Sequence, residues 1–428
     1  MLNQKKSISR RSFLGLSAGN FLEWLDFTLY GYFALAIAHN FFPAENEILS
    51  TLAAITTFAV GFLVRPIGAY LIGNYADRKG RKSAMVLTVM LMGLGTLLIA
   101  CAPSYQQAGY IGTTMVVLGR LVAGLAASGE FGAAVSLVME SCPKNRRGFY
   151  SALFNTSTYL ALATGSGIAL LIYGILGQQA TLDWGWRIGF FIGLIIIPVG
   201  LYLRRHMEES NELINAPVQQ TVQNKLSLGQ FIQSIILVAS LSGFGSAIVY
   251  LVIIFMPSFA KQAMNIDPLV GSASSMMSAL IIILGAFIGG MWSDKSGRII
   301  KILLTGTLIT TFIGIPLYEY LLISPSAPRL FLFQIVCSLG LGLTVGAYFP
   351  FITDQFPTRQ RALGIGLGYN IGVTLFGAVS PIVTTYALSK GILQAPAVYL
   401  LSAAMISISV LLIYKRKETL AIKSQLSS

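Results

Sequence analysis

A charged ten-residue segment at positions 73–82 separates two long apolar segments, and a weaker copy lies half a chain length later at positions 290–298. Both copies keep an acid, a glycine and an arginine in the same register. The matching positions are Asp77 and Asp294, Gly80 and Gly297, and Arg81 and Arg298. A charged loop that recurs between apolar segments predicts a membrane protein built from two related halves.

A second charged segment is duplicated at nearly the same offset. Residues 140–147 and 354–361 each begin with an acid, have proline at the fourth position and end in arginine. Charged contacts at such loops can hold one conformation and break in another, so we predict a gating role. Anchoring of the loops on one membrane side would explain only the lysines and arginines. It would not explain why an acid and a glycine recur in the same register in both copies. The predicted gating residues are Asp77, Arg78, Gly80, Arg81, Glu140, Arg147, Asp294, Arg298, Asp354 and Arg361.

The composition excludes an ordinary soluble protein. The chain is 55% hydrophobic and 11% charged, whereas soluble proteins average about a quarter charged residues. Its apolar segments are about twenty residues long, which favours membrane-spanning helices over β-barrel strands. We predict an all-α membrane protein with twelve transmembrane helices in two pseudo-symmetric six-helix bundles. The predicted spans are 13–38, 48–73, 84–102, 110–139, 148–174, 187–203, 231–258, 270–292, 300–323, 330–353, 362–388 and 395–414.

The chain has a net charge of +13, and the positions of its basic residues follow the predicted membrane topology. Most lysines and arginines fall in the two terminal segments and in alternate loops, which is the positive-inside pattern. We therefore predict that both termini are cytoplasmic, that the protein lies in a bacterial inner membrane, and that lipid rather than nucleic acid surrounds it. The one long polar connection divides the chain into an N-terminal bundle (1–203), a cytoplasmic linker (204–229) and a C-terminal bundle (230–428), and we expect a functional monomer.

Five charged residues lie well inside predicted spans, where each costs about 2.5–3.5 kcal/mol. They are Glu23, Asp26, Arg65, Arg120 and Glu130. Glu23 and Asp26 are three residues apart and share a helix face, and two close carboxylates resist ionising together. We therefore assign Glu23, Asp26 and Glu130 to proton coupling. A static network in which the arginines only neutralise the acids remains the alternative for any single residue.

The arginines are candidates for the solute. Arg120, with Arg65 as second choice, can receive a substrate carboxylate through two parallel hydrogen bonds. Neutral polar residues inside the spans complete the predicted cavity, although any one of them is more often a local packing contact. These candidate substrate-binding residues are Asn20, Tyr30, Asn155, Tyr159, Tyr250, Tyr369 and Asn370.

Several segments together resemble the major facilitator superfamily, and within it the metabolite:proton symporters that include osmolyte, shikimate, ketoglutarate and citrate carriers. Residues 73–82 resemble the superfamily signature between the second and third helices. The segments that resemble the branch are 19–27, 65–68, 119–130, 184–187 and 354–370. The resemblance covers essentially the whole chain. It implies two rocking bundles and transport by alternating access, although Leu25 and Ser128 depart from the usual Tyr and Gly.

The sequence disfavours enzymatic activity, because it has no phosphate-binding loop, no metal-ligand cluster and only two histidines. We expect no metal and no cofactor. The predicted function is secondary active import of a small metabolite with protons, with an organic acid favoured as the solute. Two alternatives stay open: proton-coupled uptake of a zwitterionic osmolyte or amino acid, and proton-independent exchange or efflux on the same fold.

Overall fold

The computed structural model describes residues 10–44, 46–79, 81–127, 130–206 and 226–427, and these residues are helical apart from short connections. Most of the predicted linker, residues 207–225, lies outside the described residues. The helices of the first half are α1 Arg10–Tyr32, α2 Ala34–Phe41, α3 Glu47–Leu63, α4 Arg65–Lys79, α5 Arg81–Ala100, α6 Tyr105–Ala108, α7 Tyr110–Ala126, α8 Glu130–Ser141, α9 Arg147–Ala180 and α10 Trp186–His206.

The second half repeats this all-helical organisation. Its helices are α11 Leu228–Ile248, α12 Met256–Met264, α13 Pro268–Ser296, α14 Ile299–Ile309, α15 Ile315–Ile323, α16 Ala327–Thr353, α17 Thr358–Gly372, α18 Val379–Ser389 and α19 Ala395–Ser427. Short π-helical turns connect several pairs of consecutive helices. They are Thr181–Gly185, Val249–Ile254, Thr310–Gly314 and Val373–Ala378.

Each predicted span is helical. By length and composition, nine helices of the described chain can cross a membrane, and the pair Phe13–Tyr32 and Ala34–Phe41, bent by 61°, forms a tenth. The predicted third span contains the shorter apolar helix Val86–Ala100, and the helical stretch Lys144–Leu194 covers the fifth and sixth predicted spans. The predicted twelve-span architecture is therefore confirmed.

Polar residues set several helix ends, as their propensities predict. The Asn46 side chain accepts a hydrogen bond from the backbone N–H of Leu49 at 2.8 Å, and Asp267 caps Leu269 in the same way at 2.8 Å. Gly297 ends α13 with a left-handed φ of 63°, a conformation that costs glycine least. The predicted second span is interrupted at Val64, and α4 begins immediately afterwards at Arg65. Pro66 lacks a backbone N–H, so it is tolerated in the first turn of α4.

The two halves pack closely along helix pairs that cross between them. The helix α9 of the first half packs on α13 of the second, α8 packs on α17, and α3 packs on α18. At the α9–α13 crossing, a Cβ atom on Gly148 or Gly290 would meet the backbone carbonyl oxygen of the other glycine. Only residues without a side chain allow this approach.

Candidate functional site

A small cavity lies between the two halves. It is bounded by α1 and α4, by the region where α7 ends and α8 begins, and by α17 across the interface. Its lining residues are Asn20, Glu23, Trp24, Arg65, Ala127, Phe131, Gly132, Ala362, Gly366, Tyr369 and Asn370. The cavity therefore combines one cation and one acid with two amides and three aromatic rings.

Arg65 and Glu23 form the charged pair that faces this cavity. Arg65 Nη2 lies 3.6 Å from Glu23 Oε1, too far for a short hydrogen bond. The Arg65 residue is only 7% exposed, and its buried Nε has no hydrogen-bond partner in the described chain. Its guanidinium lies 4.3 Å from the centroid of the Phe62 ring. A buried guanidinium with unused donors is prepared for an incoming anion.

Arg120 and Asp26 form a second pair that is sealed from the cavity. Arg120 is 0% exposed, and its Nη1 lies 3.3 Å from Asp26 Oδ2. The Thr96 hydroxyl donates to the other carboxylate oxygen, Oδ1, at 2.5 Å. Asp26 and Thr96 line a different, mostly apolar pocket of about 440 Å³ among α1, α5 and α10. The two acids predicted to share one face thus line separate pockets, each with its own arginine.

The ring of Phe27 lies between the two guanidinium groups. Its centroid is 4.8 Å from the Arg65 Cζ and 4.5 Å from the Arg120 Cζ. Tyr30 and Phe58 also contact Arg120, with centroids at 4.8 and 5.1 Å. Aromatic faces attract cations, so this wall holds both arginines in place while keeping their positive charges apart.

Aromatic rings from both halves also close the cavity. Phe131 of α8 stacks on Tyr369 of α17, with centroids 3.6 Å apart and planes inclined by 18°. Elsewhere, Phe58 packs edge-on against Tyr250 and Phe255 of the second half, at 5.7 and 5.3 Å. Each contact must separate if the two halves move apart at that point.

The two amides that line the cavity are oriented by their own contacts. Asn20 Nδ2 donates to the hydroxyl oxygens of Ser157 at 2.8 Å and Thr158 at 2.7 Å. Asn370 Nδ2 donates to the carbonyl oxygen of Gly366 at 2.8 Å. Asn20 thus uses both of its N–H groups, whereas Asn370 keeps one N–H, and in both side chains the amide oxygen can accept a hydrogen bond.

The other predicted substrate-binding residues do not line the cavity. The Tyr30 hydroxyl donates to the Ala54 carbonyl at 3.0 Å, and Asn155 Nδ2 donates to the Ser151 carbonyl one turn earlier in its helix at 3.0 Å. Tyr159 is buried in the main hydrophobic core. Tyr250 is buried against Phe58, and its hydroxyl has no hydrogen-bond partner in the described chain.

Charged residues of the duplicated loops connect the halves at one end of the molecule, which we call the motif side. Arg147 Nη1 lies 2.7 and 2.9 Å from the two carboxylate oxygens of Asp354, and its Nη2 donates to the Thr353 hydroxyl at 2.5 Å. Arg361 donates to Glu140 at 2.5 Å. Four of the predicted gating residues therefore form two ion pairs, each with one partner in either half.

Asp294 makes a third contact on the motif side. Its two carboxylate oxygens accept hydrogen bonds from the backbone N–H groups of Gly148 and Phe149, at 2.7 and 2.9 Å. These donors lie in the first turn of α9, where free N–H groups and the helix dipole favour a negative charge.

The remaining gating and coupling candidates are less defined. Arg78 and Arg298 are exposed. Gly80 and the side chains of Asp77, Arg81 and Glu130 lie outside the described residues. At the end opposite the motif side, Gln262 Nε2 of α12 donates to the Thr51 hydroxyl of α3 at 2.6 Å and reaches the Glu47 carbonyl at 3.5 Å, so this contact between the halves is neutral.

Sequence reasoning missed four residues of the site. Trp24 and Phe131 line the cavity, Phe27 separates the arginines, and Thr96 binds Asp26. Trp24 and Phe27 belong to the segment that carries the family resemblance, which was the available signal. Thr96 has no such signal, because only folding brings it to Asp26. In the described chain, no three His, Cys, Asp or Glu side chains meet as metal ligands.

Two helical halves around a polar cavity, with charged contacts at one end, define a secondary transporter of the membrane. The chain matches the family model described as Major Facilitator Superfamily over residues 16–381 and again over 235–426. It belongs to that superfamily, and the family expectation from the sequence is confirmed.

Its relatives are transporters of small solutes. The chain is 31% identical over 380 residues to the citrate-proton symporter of Klebsiella pneumoniae, covering 87% of this chain and 84% of the relative. It is 31% identical over 427 residues to the shikimate transporter of Escherichia coli K12, covering 96% and 95%. The fold is similar to that of the xylose transporter XylE from E. coli in a partially occluded inward open conformation, with TM-score 0.74, 16% identity, and coverage of 95% and 97%.

Proposed function

We propose that this protein imports a small organic acid together with protons by alternating access. The observation that carries the proposal is the pair of buried arginine–carboxylate contacts with different access. Arg65 and Glu23 face the cavity between the halves, whereas Arg120 is enclosed by aromatic rings and Asp26 faces a separate pocket inside the first half. One site is therefore suited to a solute and the other to a proton.

Arg65 receives the carboxylate of the solute. Its guanidinium borders the cavity, its Nε lacks a hydrogen-bond partner in the described chain, and its contact with Glu23 is long. A substrate carboxylate can form two parallel hydrogen bonds with such a group. The first choice from the sequence, Arg120, has no exposed surface through which to reach a solute.

Asp26 carries the coupling proton. Protonation removes its charge attraction to Arg120 and leaves the guanidinium held by the surrounding rings. The pair is buried, with 3.3 Å between Arg120 Nη1 and Asp26 Oδ2 and a further hydrogen bond from Thr96, so this change is large in a medium of low dielectric. Glu23 and Glu130 are the further candidates for protonation.

Rocking of the bundles at 1–203 and 230–428 moves the cavity between the two membrane surfaces. The motif-side ion pairs stabilise closure at that end, and the link between Gln262 and Thr51 does so at the other. Both termini lie in the cytoplasm of a bacterial cell in this proposal, so the motif side is the cytoplasmic side. A single chain contains the whole cavity and suffices for transport.

The proposal is tested with purified protein in sealed proteoliposomes. A pH gradient, acidic outside, should drive accumulation of an organic acid by the wild-type protein. Asp26→Asn should lower this net uptake by about tenfold or more, because the proton site is lost, while exchange of labelled for unlabelled solute persists. Asp183→Asn, which alters an exposed carboxylate of the same half, serves as the matched control and should transport normally.

Uptake that is equally fast without a pH gradient would favour proton-independent exchange instead. Net uptake by Asp26→Asn at the wild-type rate would show that the proton is carried elsewhere.

A further inference from the structure

We propose that the solute has a single carboxylate attached to a compact body that donates hydrogen bonds through hydroxyl or ammonium groups. This inference rests on the proposed function and narrows the class of solute. It follows from the charges, the amide orientations and the aromatic walls of the cavity.

The charges of the cavity match one carboxylate. Among the described lining residues Arg65 is the single cation, and Glu23 is an acid beside it. Arg120 cannot add a second positive contact, because it is 0% exposed behind the ring of Phe27. A second or third carboxylate on the solute would lie unpaired near Glu23, and unpaired charges are costly away from water.

The amides of the cavity act as acceptors. The Gly366 carbonyl can only accept, so the group of Asn370 that faces it is the NH₂, and the oxygen stays free beside one unused N–H. The Ser157 hydroxyl donates to the Phe154 carbonyl at 2.7 Å, so its oxygen must accept from Asn20 Nδ2. Both amide oxygens can therefore accept a hydrogen bond from a donor group on the solute.

The walls limit the body of the solute. The rings of Trp24, Phe131 and Tyr369 suit a compact carbon skeleton with apolar faces. A betaine also has one carboxylate, but its quaternary ammonium has no N–H and would leave both amide oxygens unpaired. The chemistry thus favours a hydroxylated acid or an amino acid over a tricarboxylate or a betaine.

The first experiment needs no variant. Wild-type protein in proteoliposomes is given a pH gradient and one labelled compound at a time: shikimate, serine, cyclohex-1-ene-1-carboxylate, citrate or glycine betaine. We expect the fastest uptake for shikimate or serine, because each has one carboxylate and hydrogen-bond donors on a compact body. Faster uptake of citrate, glycine betaine or the hydroxyl-free ring acid would overturn this inference and leave proton-coupled import intact. Uptake of none of them would contradict the proposed function as well.

The second experiment removes one acceptor. Asn370→Leu should weaken binding of the transported donor-bearing acid by about three- to tenfold, the loss of one hydrogen bond, and leave the donor-free analogue unchanged. Thr384→Val is the control, because Thr384 lines another pocket and bonds to its own helix. Thermal unfolding of each variant checks folding. If Asn370→Leu weakened binding of both acids equally, or of neither, Asn370 would not accept a hydrogen bond from a donor on the solute.

Discussion

Two arginine–carboxylate pairs of the same chemistry lie on either side of one phenylalanine ring. The acids come from the same helix, three residues apart, yet Glu23 faces the cavity between the halves and Asp26 faces a pocket inside the first half. Arg65 borders the cavity, whereas Arg120 is enclosed by rings, although each keeps a guanidinium donor without a partner in the described chain. The comparison teaches that access, rather than residue type, separates a solute site from a proton site.

The largest expected difference between the pairs is in stability. Arg120→Leu strands the buried carboxylate of Asp26 and should lower the free energy of unfolding by about 3–5 kcal/mol. Arg65→Leu leaves Glu23 beside a cavity that admits water and should cost about 1 kcal/mol. Chemical unfolding of the purified proteins in detergent measures both values.

The double variant Asp26→Leu with Arg120→Leu is the control for this prediction. It should recover most of the lost stability, because no unpaired charge remains, while proton-driven uptake stays absent. Equal losses for the two single arginine variants would remove the distinction between a sealed and an accessible pair.

The second prediction separates the pairs by kinetics. Arg65→Lys loses a parallel hydrogen bond to the solute and should raise KM on the order of tenfold with little change in kcat. Arg120→Lys should instead lower kcat at nearly constant KM, because Arg120 has no exposed surface. Initial uptake rates over a range of solute concentrations give both constants. The opposite pattern would indicate that the solute binds to Arg120 rather than to Arg65.

The sequence predicts the fold well because its signals are local. Apolar segment length defines the spans, and the duplicated charges locate the loops, where Arg361 meets Glu140 and Arg147 meets Asp354. Site assignment from sequence is weaker, because helical spacing places Glu23 and Asp26 on one face but does not reveal what packs against each. The enclosure of Arg120 depends on rings from two separate helices, α1 and α3, which tertiary packing alone brings together.

The third and smallest prediction extends the comparison to the gate, where ion pairs are partly exposed. Arg361→Gln removes the pair with Glu140, and such pairs are worth about 0.2–1 kcal/mol, so open motif-side states should increase by about two- to fivefold. Pulsed electron paramagnetic resonance between spin labels at positions 144 and 359 measures this opening. Gln262→Ala, at the opposite end, should not increase it. An unchanged distance distribution in Arg361→Gln would mean that other contacts hold this end closed.

The stack of Phe131 on Tyr369 has a consequence for energetic efficiency. One ring comes from each half, so the stack exists only while the two halves meet at this wall of the cavity. We expect a smaller side chain at either position to weaken this contact and to increase proton leak without a completed transport cycle. How much of the proton gradient is dissipated as leak therefore depends on two rings that bind no proton themselves.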